Sequence, residues 1–300
     1  MLHLFTFCVD IKKHSVDSLK KVLNILINSI ENTNPDFELI IFSNINLEIN
    51  NNKIKVREYY DTGIKYYNNS FNKNWQDGWG INWRNLSFNK INVWKDLYDK
   101  TKQSYIWIDL DTIFVHDISY VNTIPNFFID NGGNSNKANP LFFSNKGDPK
   151  IRSVNMPRKN YIQGNVWKLD INLYNKLINC YNDLISKNLM LRYDLQDLFN
   201  YFIYFFNKGK TLDSQNIYIL GKNIASNTEN GLGVYNSNGL GHPNKENIKN
   251  LYYDNQGILR SKHLPNKEIH IISFVMVDEI KCLNSPQFEI LFKTPQKFIL

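Results

Sequence analysis

The sequence predicts an α/β fold: one domain built on a mixed, mainly parallel sheet flanked by helices. Three observations carry that expectation. Short apolar runs suited to buried strands alternate with longer segments of helical period. The first of these follow in the order strand, helix, strand, at the spacing of a parallel βαβ unit. No internal repeat or linker divides the 300 residues, a length that suits one large domain with ample core.

Taken in order, Leu4 to Val9 is a short buried strand. Ser15 to Ile30 places Val16, Leu19, Val22, Leu23, Leu26 and Ile30 on one helical face. Phe37 to Phe42 is a second strand and Lys53 to Val56 a third. Residues 60 to 83 read as a long loop rich in Tyr, Asn and Trp, and helix returns from Asn85 to Tyr98. Tyr105 to Ile108 is a strongly apolar strand that stops at Asp109. Strands at Leu141 to Phe143 and Tyr161 to Leu169 precede helices at Ile171 to Ser186 and Leu195 to Phe206. Ile217 to Leu220 and Ile269 to Phe274 are the last strands. The Asn/Gly-rich stretch from Asn223 to Gly257 reads as a low-complexity loop.

Composition narrows the class. With 42% hydrophobic and 21% charged residues, the chain is neither disordered, collagen-like nor a long coiled coil. No apolar run reaches the roughly 18 residues of a transmembrane helix, and Leu2 to Val9 lacks a basic lead-in for a secretory signal. Cys8, Cys180 and Cys282 are odd in number and form no CxxC pair. They fit buried thiols in a reducing, cytoplasmic setting. The net charge of +7 rests on 29 Lys and only 6 Arg, spread without a basic stripe, beside 46 Asn. Since Arg is the residue that forks onto bases and phosphates, nucleic acid is not the expected partner.

The most informative stretch is Tyr105 to Asp117, where Asp109 and Asp111 stand between two apolar runs. A turn alone would use Asp for local hydrogen bonds, but buried flanks make uncompensated carboxylates costly. A hard divalent cation, Mn²⁺ or Mg²⁺, resolves that cost, and such ions typically bridge carboxylates to substrate phosphates. The pair also follows a strand, where ligands of open α/β sheets bind.

Trp107-Ile-Asp-Leu-Asp-Thr112 resembles the metal-binding strand of the GT-A-fold glycosyltransferases, family 8 and the glycogenin-like enzymes in particular. Four further segments are similar to the family's motifs, in its order. They are Phe88-Asn-Lys90-Ile-Asn-Val-Trp94, Tyr161-Ile-Gln-Gly164-Asn-Val-Trp, Leu195-Gln196-Asp-Leu-Phe-Asn200 and His270-Ile-Ile-Ser273. The resemblance implies a GT-A, Rossmann-like domain over 1–300. Residues 1–120 would bind the nucleotide sugar, and 121–300 would bind the acceptor and supply a late metal-ligand strand. It implies transfer of a hexose from a nucleoside diphosphate sugar, a UDP-sugar ahead of a GDP-sugar, to a carbohydrate or other hydroxyl acceptor. Asp109, Asp111 and His270 would hold Mn²⁺ or Mg²⁺, with His263 the rival third ligand and His242 a weaker one. Phe7, Val9, Asp10, Lys90, Leu110, Gln163 and Gly164 would line the donor site. Asp10 serves equally well as a charge at the following helix N-terminus.

Gln196, Asp194 and Asp197 are the candidate catalytic groups, although one Asp at a helix start is expected to cap it. The neutral amide of Gln196 favours a retaining reaction, and the two carboxylates keep inversion open. The sequence departs from the family pattern at Ile162, Leu195, Ser273 and Met276. Those departures keep alive a non-catalytic carbohydrate-binding protein on a degenerate transferase fold. A sugar-phosphate nucleotidyltransferase is a third class, disfavoured because Leu4 to Lys13 contains no Gly for a triphosphate loop. Aromatics from Tyr59 to Trp83 suit either an acceptor-binding lid or a satellite hydrophobic cluster.

Overall fold

Strand β1 (Leu2–Cys8) is apolar on both faces because it lies inside a sheet covered on both sides. The computed structural model describes residues 1–12, 14–62, 80–130, 138–140, 142–144, 155–157, 162–186, 189–191, 195–203, 217–220, 234–236, 251–262 and 268–273. After β1 come α1 (Val16–Thr33), β2 (Phe37–Ser43), β3 (Ile54–Glu58), α2 (Gly80–Thr101), β4 (Ile106–Ile108), β5 (Thr112–Phe114) and β6 (Asn126–Asp130). Short strands β7 (Ala138–Pro140), β8 (Phe142–Ser144) and β9 (Asn155–Pro157) precede β10 (Ile162–Lys168), α3 (Ile171–Ser186), β11 (Leu189–Leu191) and α4 (Leu195–Tyr201). The remaining strands are β12 (Ile217–Leu220), β13 (Val234–Asn236), β14 (Leu251–Tyr253), β15 (Leu259–Ser261) and β16 (Ile271–Ser273).

The main sheet has seven strands in the order β12-β6-β10-β4-β1-β2-β3. Four of its pairings are parallel, and β10 runs antiparallel to both neighbours, β4 and β6. This is a single-domain α/β fold with a mostly parallel mixed sheet, compatible with a Rossmann-like architecture, as the sequence predicts. Helix α1 covers one face. Ser15 caps it, its Oγ accepting the Ser18 N–H, and Leu19, Val22, Leu23, Leu26, Ile27 and Ile30 pack on alternate residues of β1, β2 and β4. Helices α2, α3 and α4 cover the other face, where Trp94, Leu177 and Phe199 join Phe5, Trp107 and Trp167. Among the described residues no helix is long and apolar enough to cross a membrane.

Boundaries moved where local pattern was a poor guide. Helix α2 begins at Gly80, not Asn85, which shortens the expected loop at 60–83. Strand β6 was not anticipated; its Phe127, Phe128 and Ile129 are buried only because β10 and β12 flank it. Strands β13 and β14 lie within the stretch read as a loop, and each depends on a partner distant in sequence or formed by a turn, β16 and β15. Such pairings leave no periodicity in a three-residue segment.

Two polar side chains, Ser29 on α1 and Asn34 at its C-cap, fasten the chain segment after β4. Ser29 Oγ donates to Leu26 O at 2.7 Å and accepts the Phe114 N–H at 3.1 Å; Asn34 Oδ1 accepts the Ile118 N–H at 2.8 Å. Both residues are buried. Removing either acceptor leaves a buried backbone N–H unpaired, which costs about 1–3 kcal/mol. Urea denaturation of Ser29→Ala and of Asn34→Ala is expected to show losses in that range with unchanged helix content.

Candidate functional site

The chain builds β1, β2 and β3 outward in one direction, then returns through α2 to lay β4 on the other side of β1. The switch in direction falls between β1 and β4, and the crevice outside the carboxyl ends of such strands is where open α/β sheets bind ligands. Asp10 follows β1 and Asp109 follows β4 at that edge. Because β10 is antiparallel, its first residues arrive at the same edge, and the Asp109 N–H donates to Asn165 O at 2.7 Å.

Asp109 is fastened from α2 and from its own strand. Lys90 Nζ on α2 reaches its Oδ1 at 2.7 Å, and the Trp107 indole N–H donates to the same oxygen at 2.8 Å. The Lys90 ammonium also lies 4.5 Å from the centroid of the Trp107 ring, a cation–π distance. Side-chain exposure is 14% for Lys90 and 28% for Asp109, so the pair is partly withdrawn from water yet open to a ligand. Trp107 and Asp109 share a face because strand side chains alternate. Lys90 is aimed by its helix: four residues on, buried Trp94 donates its indole N–H to Tyr105 O at 3.1 Å.

Asp111 is buried with 9% exposure in the turn after β4. Leu110 between the carboxylates points into the core on the α1 side, so only its backbone can meet a ligand. Phe7 and Val9 are likewise core residues, Phe7 packing edge-on against Trp107, Phe42 and Tyr59. Asp10 is partly exposed. Its backbone N–H and C=O pair with the Asn44 side-chain amide, and its Oδ1 accepts the Lys12 N–H. The carboxylate therefore organises its own loop rather than capping α1, whose cap is Ser15.

On the other flank, β10 carries an irregularity in its pairing with β6 between Gln163 and Trp167, where Gly164 meets α4. The Gly164 N–H donates to Gln196 Oε1 at 3.0 Å, and a Cβ at Gly164 would stand 3.2 Å from Gln196 Cβ. Asn200 locks this docking: its Oδ1 accepts the Ile162 N–H, and its Nδ2 donates to Ile162 O and Gln196 O. Since a backbone N–H faces Gln196 Oε1, that amide is oriented with its oxygen toward β10. Asp197 has 0% exposure. On α4 it is buried together with Leu195, Leu198, Phe199 and Asn200. Asp194, His263 and His242 lie outside the described residues, as do Met276, most of the Tyr59–Trp83 aromatic stretch and the side chain of Gln163.

His270 is set apart from the two carboxylates by the register of its strand. Strand β16 sets Ser273 opposite Thr112 and Ile271 opposite Phe114, while Val115 and His116 N–H groups both donate to His270 O. The register puts His270 beside the far end of β5, four residues or about 13 Å of strand from the position opposite Asp111. It packs instead against His116, ring centroids 5.5 Å apart, and near Tyr120, with Glu268 Oε1 3.8 Å from Nε2. Among the described residues no three His, Cys, Asp or Glu side chains form a group suited to a metal ion. Asp109 and Asp111 are hard oxygen donors of the type that Mn²⁺ and Mg²⁺ take.

Asn44, Trp107, Asn165 and Asn200 were given no role by the sequence, yet each bonds to an expected site residue. Trp107 could have been found from its i−2 spacing to Asp109 on one strand face, and Asn200 from its i+4 spacing to Gln196 on one helix face. The others carry no local signal. Asn89 is similar: its amide bonds Tyr59 Oη, Tyr60 O and the Thr62 hydroxyl, tying the segment after β3 to α2 one residue before Lys90. Compared with known proteins, the chain matches no family model and no curated protein.

Two outcomes follow from this geometry. Asn200→Asp keeps the acceptor for Ile162 but replaces the two donated bonds with a fully buried charge. Faster hydrogen exchange at Gly164 and Asp109 is the expected result, with a stability loss of about 2–3 kcal/mol. The histidines give a pH dependence. Burial lowers the pKa values of His3, His116 and His270 from 6.5, only partly opposed by Glu38 for His3 and Glu268 for the other two. Each binds its proton less readily in the fold than in the unfolded chain, so as pH falls toward and below 6.5 the unfolded chain binds more protons. Stability falls as pH drops from 7.5 to 5.5, by at most about 1.4 kcal/mol per pH unit per proton. His116→Gln is expected to flatten that slope in denaturation curves taken across the range.

Proposed function

We propose that this chain is a metal-dependent glycosyltransferase of the GT-A kind, moving a hexose from a nucleoside diphosphate sugar to a carbohydrate or other hydroxyl acceptor. The observation that carries the reading is Asp109 at the sheet's switch point, held by Lys90 and Trp107 and followed at once by buried Asp111. A cytoplasmic setting is part of the proposal, supported by the buried free thiols of Cys8 and Cys180.

Asp109 and Asp111 would hold Mn²⁺ or Mg²⁺, which when bound supplies a Lewis acid to the diphosphate. The other roles belong to the chain itself. Lys90 offers a positive charge to the oxyanion that develops on the leaving diphosphate; electrostatic terms of this kind are usually the largest in catalysis. Gln196, its oxygen engaged by Gly164, presents N–H donors and cannot act as a base. The burial of Asp197 withdraws one of the two candidate bases and supports a retaining course, in which the departing phosphate takes the acceptor proton; Asp194 is the base that an inverting course would use.

A UDP-sugar panel with Mn²⁺ tests the reading. Asp109→Asn is expected to lower hexose transfer at least about 100-fold with little change in melting temperature, since the isosteric amide keeps an oxygen for Trp107. Undiminished transfer by that variant removes the assignment. The displacement of His270 favours one other reading, a carbohydrate-binding protein on a decayed transferase fold. That reading predicts thermal stabilisation by glycans and none by UDP with Mn²⁺.

A further inference from the structure

Asp109 already has a cation. Lys90 Nζ lies 2.7 Å from Oδ1, and that same oxygen takes the Trp107 indole N–H. The two donors are not equally movable. Trp107 belongs to β4 and is wedged among Phe5, Phe7 and the stacked ring of Trp167. Lys90 ends in a compact ammonium on a flexible four-carbon stem, with its backbone fixed by the buried neighbours Ile91 and Trp94. A divalent ion approaching Asp109 therefore meets a positive charge that it must displace or tolerate. The ammonium gives up a short, partly buried ion pair when displaced, so it needs another anion.

We infer that Lys90 is a built-in competitor for the divalent cation at Asp109, released when a nucleoside diphosphate offers it a second partner. Cation and nucleotide then bind cooperatively. The inference rests on reading Asp109 as a cation ligand. Without nucleotide the site is self-neutralised and binds the cation weakly; with nucleotide, ammonium and cation share the diphosphate charge. Linkage makes the effect reciprocal, so the cation raises nucleotide affinity by the same factor.

Calorimetric titration of the full chain with Mn²⁺, with and without UDP, tests this in wild type, Lys90→Met and Lys90→Arg, with no need for turnover. Methionine keeps an apolar stem on the Trp107 ring without the charge; arginine keeps the charge. Wild type is expected to bind Mn²⁺ alone weakly and to gain affinity on the order of tenfold with UDP. Lys90→Met is expected to bind Mn²⁺ alone on the order of tenfold more tightly than wild type and to lose most of the coupling to UDP. Lys90→Arg should stay close to wild type. If wild type and Lys90→Met bind Mn²⁺ alone equally well, the competition is absent and the inference falls while the metal site stands. Absence of coupling between Mn²⁺ and UDP in wild type overturns it independently of any variant. If neither protein binds Mn²⁺ with or without UDP, the metal-site reading falls as well.

Discussion

A carboxylate at the end of a buried strand has to be compensated, and the compensation of Asp109 organises the surrounding structure. Two donors reach the carboxylate, Lys90 from α2 and Trp107 from its own strand, while the backbone N–H of Asp109 donates to Asn165 O on β10. Each partner is in turn anchored. Trp94 ties α2 to the start of β4, Trp107 stacks on Trp167 across the β4–β10 pair, and β10 is held by α4. An unpaired charge at this depth would be destabilising. The packing of two helices and an antiparallel strand around one edge of the sheet therefore meets an electrostatic demand as well as a hydrophobic one.

The reversed direction of β10 has consequences beyond pairing. A parallel strand in that place would send its last residues to the switch point, and its first to the opposite edge. Running backward, β10 delivers Ile162, Gly164 and Asn165 there, where α4 can dock on them through Asn200 and Gln196. Gly164 is needed because the helix approaches so closely: an added Cβ at 3.2 Å from Gln196 Cβ has room only if α4 yields by a few tenths of an ångström. The Asn200 amide is bonded at both its oxygen and its nitrogen, which makes the seam specific to one register.

The opposite face of the sheet does different work. There α1 holds the segment after β4 through Ser29 and Asn34, and β5 pairs with β16 to begin a small sheet with its own apolar cluster of Ile113, Val115, Leu259, Ile269 and Ile272. His116 and His270 sit at the rim of that cluster. Their distance from Asp109 separates a pH-sensitive structural contact from the charged edge. Proposed chemistry and acid sensitivity thus belong to different parts of one fold.

Local pattern determined a good deal. The apolar runs at Leu4, Phe37 and Tyr105, and the helical spacing from Val16 to Ile30, encode the central strands and α1, because burial on a fixed period is a local property of sequence. The same holds for placing Asp109 and Asp111 just past a strand. Three-residue strands such as β13 and β14 were illegible, since their hydrogen bonds go to partners that the segment itself does not specify. The place of His270 was illegible for a related reason: the family resemblance implied a ligand, but the register of β16 on β5 decides which residue stands opposite Asp111. Likewise Asp197 reads as an exposed acid at a helix start, until α4 packs that side of the helix into the core. Sequence alone determined the central strands, helix α1 and where the charges fall along the chain. Only the tertiary structure decided which charges meet, because strand direction, register and helix docking are set by contacts between segments far apart in the chain.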